Sequence, residues 1–392
     1  MKLLYTIIFF GREPSGVQKK IIAQVKNLNA LELSSVIYSL TGINDDSPPS
    51  RQVNKIIIPN LEYHPPKSFF AKKRRINIRD YAYNKIIEKL RVDDILYTSI
   101  PSPSRITSEL LKNPRKGKIV IEYQTIEPIE GKLAGNYVYL LNDLFFGDDI
   151  RKYTDGIVGV TDEITRYEVT RSGDPEKPHI TVGNGINVET VNVHQQVPYS
   201  GEELRLLCVA NFNRWHGLDR LIRGIGTYRG PTRITLDIAG DGSELPYYKN
   251  IIHELAITDR VKFHGLTIGN DLDNLFNTCH IAVGSLGMHR KGLTQTSELK
   301  AREYCARGIP YIISCADPDF PDDFPFILRL LSDESDVDIE MIIEFAQKVY
   351  NDPDHPFKMR AYAIEHLDWS VKMKILKTFL ETLVDNSKQN LG

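Results

Sequence analysis

Short apolar runs rich in β-branched residues alternate with amphipathic segments along most of this chain, and the alternation runs through twice. No other feature narrows the fold as much. A strand covered on both faces reads as a continuous apolar run, and a helical segment between two such runs returns the chain over the sheet, so the strands lie parallel. In the first half, strands are predicted at Leu3 to Phe9, Ser35 to Tyr38, Lys55 to Ile58, Ile95 to Thr98, Ile119 to Tyr123, Gly156 to Val160 and Ile180 to Val182. Helices are predicted at Val17 to Leu31, Tyr81 to Leu90, Ser102 to Leu111 and Asp162 to Arg171. The polar stretch Asn192 to Gly201 has neither period and predicts a linker at 191–200. The pattern then restarts, with strands at Arg205 to Ala210, Ile234 to Ala239, Val261 to His264, Ile281 to Gly284 and Tyr311 to Ser314. The predicted organisation is α/β: a doubly wound domain over 1–190, a second over 201–368, and a terminal helix over 369–392.

A chain of 392 residues exceeds one ordinary core, which agrees with two domains. The hydrophobic fraction of 41%, charged fraction of 26% and net charge of -2 exclude a disordered chain and a nucleic-acid-coating one. With no base-reading module either, no nucleic-acid partner is expected. Cys208, Cys279, Cys305 and Cys315 lack metal-ligand or redox spacing and read as reduced core thiols. The apolar N-terminus enters a Gly-Arg-Glu-Pro-Ser-Gly turn and reads as a strand, not as a signal peptide. With no apolar run near the ~20 residues that span a bilayer, the expected location is cytoplasmic. One segment points to a surface: Tyr63 to Arg75 interleaves aromatics with cations, so 67–75 is a candidate for peripheral contact with an anionic membrane.

The chemistry is concentrated between Gly284 and Ser314. A strand there ends in a loop holding Gly287 and Gly292, and a helix starts near Ser297, read as N-cap, with Glu298 in its first turn. Such a loop and helix start offer N–H groups and a positive dipole end to a phosphate. Lys300 and Glu303 are three apart and share a helix face, so a lysine for a diphosphate and a carboxylate for ribose hydroxyls lie together. The alternative is a solvated face made of Lys300, Arg302 and Glu303.

Arg302-Glu-Tyr-Cys-Ala-Arg-Gly-Ile-Pro-Tyr-Ile-Ile-Ser314 resembles the "Glu-Ala-Met-Ala-x-Gly-x-Pro-Val" segment of family 4 of the retaining glycosyltransferases, also called glycosyl transferases group 1. Five further segments fall in that family's order. Leu207 to Ile222 is similar to its variant reading Trp-His-Gly-x-Asp-Arg-Leu-Ile, found in bacterial polysaccharide biosynthesis. Asp237 to Ser243 resembles its "Gly-Asp-Gly" turn, and Asp259 to Gly265 its "Asp-Arg-Val-x-Phe-x-Gly" strand. Val160 to Ile164 and Val182 to Asn187 resemble "Val-Thr-x-x-Ile" and "Asn-Gly-Ile-Asp". The likeness covers roughly residues 156 to 314 well and the first 150 weakly.

The resemblance implies a GT-B fold: two Rossmann-like domains facing a cleft, with the C-terminal helix crossing back to the first. It implies sugar transfer from a nucleoside diphosphate donor to a glycan or lipid-linked acceptor, with retention and no separate cofactor. Of the Asp-x-Asp pairs, Asp271/Asp273 starts a helix and Asp317/Asp319, Asp336/Asp338 and Asp352/Asp354 lie in loops or before helices, so no metal is expected. Glu303 then binds the donor ribose, and Gln295 stands where the family has a glutamate near the transferred sugar. Asn211 and His216 stand where the family has an arginine and a lysine on the diphosphate, so the charge must come from Arg214, Arg290, Lys291 or Lys300, with Lys300 and Lys291 preferred. Gln295, Lys300 and Glu303 are therefore the predicted catalytic residues. The predicted donor-binding residues are Gly16, Asn211, Arg214, His216, Gly217, Gly240, Gly265, Lys291, Gly292, Leu293 and Thr294. Gln124 and the acids Glu122, Glu127 and Glu130 are candidates on the acceptor side. A dinucleotide site is disfavoured, because neither Gly240 to Leu245 nor Gly11 to Gly16 completes Gly-x-Gly-x-x-Gly. The alternatives are an inert sugar-nucleotide-binding scaffold and a sugar-nucleotide epimerase or hydrolase.

Overall fold

The structure is a computed structural model and describes residues 2–8, 16–41, 53–57, 80, 83–99, 103–194 and 197–389. It divides into two compact units, Met1–Gly183 with Trp369–Gly392, and Asn184–Asp368. The segment 67–75 lies outside the described residues.

The first unit is built on seven parallel strands: β1 (Lys2–Ile8), β2 (Ser35–Thr41), β3 (Val53–Ile57), β4 (Asp94–Ser99), β5 (Lys118–Tyr123), β6 (Gly156–Gly159) and β7 (His179–Thr181). Their order is β3-β2-β1-β4-β5-β6-β7, which is doubly wound. Register sets Tyr5 between Ile37 and Tyr97, and Leu3, Tyr5, Ile95, Tyr97 and Ile121 are buried completely. Side-chain caps fix helix starts at Ser104 and Thr161, each accepting a backbone N–H three residues on. Two helices that the strand pattern hides, Glu127–Leu133 and Tyr137–Tyr153, follow β5.

The terminal helix Trp369–Gln389 belongs to this first unit. Trp369, Met373, Leu376, Leu380 and Leu383 recur at helical spacing and are all buried. Gly156 of β6 lies beneath the helix: a Cβ there would stand 3.2 Å from Phe379 and 3.3 Å from Leu383. Lys377 Nζ donates to the carbonyl of Leu31 at 2.8 Å, tying the helix to the end of Gly16–Ala30.

The second unit has six parallel strands, β8 (Glu203–Asn211), β9 (Arg233–Asp241), β10 (Val261–Gly265), β11 (Ile281–Val283), β12 (Tyr311–Ile313) and β13 (Ile327–Arg329), in the order β10-β9-β8-β11-β12-β13. The three residues of β11 are fully buried, as a central strand covered on both faces requires. The edge strand β13 was not legible, being three residues inside a stretch rich in Pro and Asp. Within the stretch 191–200, His194 and Tyr199 pack on the second unit. The His194 N–H donates to the Arg307 carbonyl at 2.7 Å, and the Tyr199 ring meets those of His280 and Tyr350 at 5.3 and 5.5 Å. The chain passes between units at Gly183 and again at Asp368. The two passages are joined within the second unit, where the Ile186 N–H donates to the Leu367 carbonyl at 2.9 Å and the Val188 N–H to the Asp368 carboxylate at 3.1 Å. Among the described residues, no helix is long and apolar enough to cross a membrane.

Candidate functional site

In the second sheet successive strands step outward from β8 in one direction and from β11 in the other, so the topological switch point lies between them. Open α/β sheets hold ligands at the carboxyl ends of the strands flanking such a point. Here those ends carry the loops 212–217 and 284–297. The loops are sewn together by their backbones: the Leu286 N–H donates to the His216 carbonyl at 2.8 Å, and the Gly287 N–H to that of Trp215 at 3.2 Å. Gly217 has φ +61°, and a Cβ on it would stand 2.5 Å from the Gly287 nitrogen. Its glycine identity is thus explained by loop packing. Gly240 is similar, since a Cβ there would lie 1.9 Å from the Ala210 carbonyl oxygen. Gly265 closes β10 at φ +67°, with open space around it.

The turn Met288–Lys291 ends at Gly292, whose φ of +64° reverses the chain. Arg290 anchors this turn. Its guanidinium donates to both oxygens of Asp219, each at 2.9 Å, to Glu334 at 2.8 and 2.6 Å, and to the Arg214 carbonyl at 2.8 Å. Burial works against ionisation of Asp219, but Arg290 and Arg223 overcome it and hold its pKa below the ordinary value. Hydrogen bonds from Arg290 likewise hold Glu334 down to about 2. Arg290 is therefore committed to structure, which removes it from the candidate diphosphate cations. Lys291, next to it, is buried with its ammonium 4.3 Å from the centre of the Trp215 ring.

Lys300, Glu298 and His216 come together in these two loops and the start of the helix Leu299–Arg307. Among the described residues the Lys300 ammonium is buried without a hydrogen-bond partner. The nearest carboxylate oxygen of its ion-pair partner, Glu298 Oε2, is 3.7 Å away, beyond hydrogen-bond reach. Glu298 holds the N-cap position without a side-chain cap bond. Its Oε2 accepts the Ser285 N–H at 3.2 Å, while Oε1 is buried and has no partner among the described residues. His216 Nδ1 faces the Asn213 backbone, 3.0 Å from its N–H and 3.2 Å from its carbonyl oxygen. Burial, then the positive charges of Lys300 and Lys291, push the His216 pKa well below its ordinary value, so this imidazole is a neutral N–H donor. Among the described residues the loops thus bring the Lys300 ammonium and a neutral imidazole N–H beside the Glu298 carboxylate, with the Lys291 ammonium over Trp215, a set suited to an anion carrying several oxygens.

The other predicted residues are placed as follows. Asn211 ends β8, exposed, its carbonyl accepting from Asn213 Nδ2 at 2.9 Å, and Arg214 is exposed at the start of the next turn. Leu293 is buried, Thr294 is exposed, and Gln295 pairs with Ala316 in a parallel bridge. Glu303 is half-exposed and its Oε1 accepts from Arg307 at 3.0 and 2.9 Å; Arg307 also reaches Asp273 at 2.7 Å. Gly16 lies in the first unit, opening the helix that follows β1, and Gly11 to Ser15 lies outside the described residues.

Several expectations change. Ser297 does not cap the helix; its hydroxyl accepts the Asn184 N–H at 2.7 Å, and Glu298 takes the cap position. Arg302 is not on a solvated face. It is fully buried, bound to Asp317, Asp319 and the Asn184 carbonyl, and so occupies the Asp317/Asp319 pair. Glu122 is not a free acid either: it is buried, 3.3 Å from Lys20 Nζ, and accepts from Gln24 at 3.1 Å and Tyr5 at 3.3 Å. Gln124 accepts from the same lysine at 2.7 Å. Among the described residues no group of three or more His, Cys, Asp or Glu is placed to hold a metal ion. Glu298 is the site residue that sequence reasoning passed over, because an acid at a helix start is already explained by the helix dipole.

Residues 191–365 match the family glycosyl transferases group 1. Solved structures place the whole chain. Sucrose-phosphate synthase from Thermosynechococcus elongatus superposes with a TM-score of 0.70 at 15% identity, over 98% of this chain and 100% of that one. HepE of Anabaena, in complex with UDP and glucose, gives 0.65 at 14% identity over 97% and 100%. WaaG, a glycosyltransferase involved in lipopolysaccharide biosynthesis, gives 0.65 at 14% over 96% and 99%.

The fold is GT-B.

No curated protein matches the chain in sequence. In this GT-B chain the group 1 match falls on the unit that carries Lys300, Lys291 and His216.

Proposed function

We propose that this chain is a glycosyltransferase that moves a sugar from a nucleoside diphosphate donor to a glycan or lipid-linked hydroxyl, with retention, in cell-surface polysaccharide synthesis. The observation that carries the reading is the Lys300 ammonium, buried at a sheet switch point with no hydrogen bond of its own among the described residues. Its ion pair with Glu298 at 3.7 Å leaves its hydrogen-bonding capacity unused, and a bound diphosphate would supply charge-assisted acceptors. The group 1 match supports the reaction class, and the UDP and glucose held by HepE support a nucleotide-sugar donor.

In this reading Lys300, Lys291 and the His216 ring N–H neutralise the departing diphosphate, with Arg214, Asn211 and the Gly292 to Thr294 backbone around it. Preorganised charge at the leaving group is the main source of catalysis. His216, being neutral, adds a donor without placing a third positive charge beside two lysines. Gln295 takes a sugar hydroxyl through its amide, and Glu303 takes the ribose, sharing its carboxylate with Arg307. The stretch 67–75 is proposed to hold the protein at an anionic membrane surface carrying a lipid-linked acceptor.

Thermal-shift and calorimetric titration with UDP-, GDP-, ADP- and CMP-linked sugars tests the donor site. One of the three diphosphate-linked donors should bind in preference to the CMP-linked one, which carries a single phosphate, and Lys300→Met should weaken it by about 100-fold, equivalent to losing one charged hydrogen-bond partner. If none binds, the transferase reading falls. Binding without hydrolysis or transfer would instead support the inert scaffold.

A further inference from the structure

Glu298 is the second unexplained charge of the site. A glutamate at N-cap is a poor cap, and this one makes no cap bond. Its side chain reaches across to the end of β11, where Oε2 takes the Ser285 N–H at 3.2 Å and stands 3.7 Å from Lys300 Nζ. The other oxygen, Oε1, is buried with no partner among the described residues, although a carboxylate can accept several hydrogen bonds. Glu298 is thus fixed by one oxygen and turns the other, without a hydrogen-bond partner among the described residues, toward the same region as the Lys300 ammonium. At 3.7 Å the pair stands too far apart to be closed by a hydrogen bond between its own members.

A ligand that satisfies both groups must bring an anion to Lys300 and, within a few ångströms of it, a hydroxyl for Glu298. A phosphate esterified to a polyol has that chemistry, and in a nucleoside diphosphate sugar the transferred sugar meets it next to the diphosphate. We infer that Glu298 is a specificity-determining residue, its Oε1 accepting a hydrogen bond from a hydroxyl of the sugar that is transferred. The inference rests on the donor reading above and assigns a sugar contact to a position that no motif marked. Glu298 also holds Lys300 in place, by attraction at a distance that leaves all three ammonium protons for the diphosphate.

The test compares nucleotide with sugar nucleotide: UDP with UDP-glucose, and GDP with GDP-mannose, titrated into wild type and Glu298→Gln. In the variant the sugar nucleotide should bind about 10- to 100-fold more weakly, the loss of one hydrogen bond to a charged acceptor. The bare diphosphate should bind as well or better, because a negative charge has been removed beside Lys300. Opposite movement of the two affinities is the signature, and it also shows that the variant is folded. Equal weakening of both would make Glu298 a structural residue or a ribose contact and overturn the inference. So would no change in either. Where the donor titration above selects ADP, the pair compared is ADP with ADP-glucose; if wild type binds no sugar nucleotide of any base, the donor reading fails, and this one with it.

Discussion

Gly217 and Gly287 meet backbone to backbone: a Cβ on Gly217 would lie 2.5 Å from the Gly287 nitrogen, and one on Gly287 3.0 Å from the Gly217 Cα. This contact lets the loop after β8 and the loop after β11 share two hydrogen bonds, and it sets His216 against Lys300 and Lys291. Gly217→Ala must both hold φ +61° with a side chain and part the loops. We expect about 2–4 kcal/mol of destabilisation, combining left-handed strain with a clash on backbone that cannot rotate away. Donor affinity should fall as well. A denaturation midpoint equal to that of wild type would show that the loops yield at no cost.

Lys300 and Glu298 form a partly buried ion pair at 3.7 Å with no hydrogen bond between them. Replacing such a pair by uncharged side chains should stabilise the protein. Lys300→Met combined with Glu298→Gln should raise stability by about 1–3 kcal/mol while abolishing donor binding. Urea unfolding measures the first effect and calorimetry the second. A double variant less stable than wild type would mean that the pair holds the fold and not a site.

Acid should loosen the second unit. Burial pushes His194 and His280 down to about 4, and burial lowers His355 as well. A histidine that is neutral when folded gains a proton on unfolding between these values and the unfolded 6.5. Its contribution is therefore complete above pH ~6.5 and drains as the pH falls towards 4. Each can cost up to about 1.4 kcal/mol per pH unit in that window. Hydrogen exchange at pH 5 and pH 7.5 should show protection lost around β11 and the helix Ile339–Tyr350. Equal protection at both pH values would rule this out.

Arg302 sits at the centre of the best-buried charge cluster of the second unit, with Asp317 and Asp319. Arg302→Met removes one side of that cluster and leaves a buried carboxylate without its partner. A loss of about 3–5 kcal/mol is expected. Arg302→Lys should recover little, because a single ammonium cannot reproduce the fork that serves two carboxylates and a carbonyl. Thermal unfolding of the two variants decides the matter; a lysine variant as stable as wild type would contradict it.

Much of the architecture was legible because parallel strands announce themselves. Ile281-Ala-Val283 and Leu206-Leu-Cys208 are apolar on both faces, and such runs have few other readings. Tyr137–Tyr153 was harder to see. Its apolar run is interrupted by Asn142-Asp143 and by Gly147, which looks like a breaker. In the fold a Cβ on Gly147 would lie 2.4 Å from Asp143 and 2.8 Å from Arg151, so the glycine makes room for their buried ion pair. At the site, Lys300 was visible as a lysine at a helix start. Glu303 lies one helical turn from Lys300 on one side and from Arg307 on the other, and the fold uses the second pairing. Glu298 escaped notice because its distinguishing property, a buried oxygen without a hydrogen-bond partner among the described residues, belongs to tertiary structure alone.

The first unit is discontinuous in sequence, since the helix Trp369–Gln389 that covers its core is separated from the rest by all of Asn184–Asp368. A ribosome working from the N-terminus therefore releases the first seven strands well before their last covering element exists. The second unit, contiguous in the chain, can fold while it waits, and the half begun first is finished last. A chain interrupted near residue 368 would hold all of Asn184–Asp368 but leave the sheet of the first unit without the helix Trp369–Gln389.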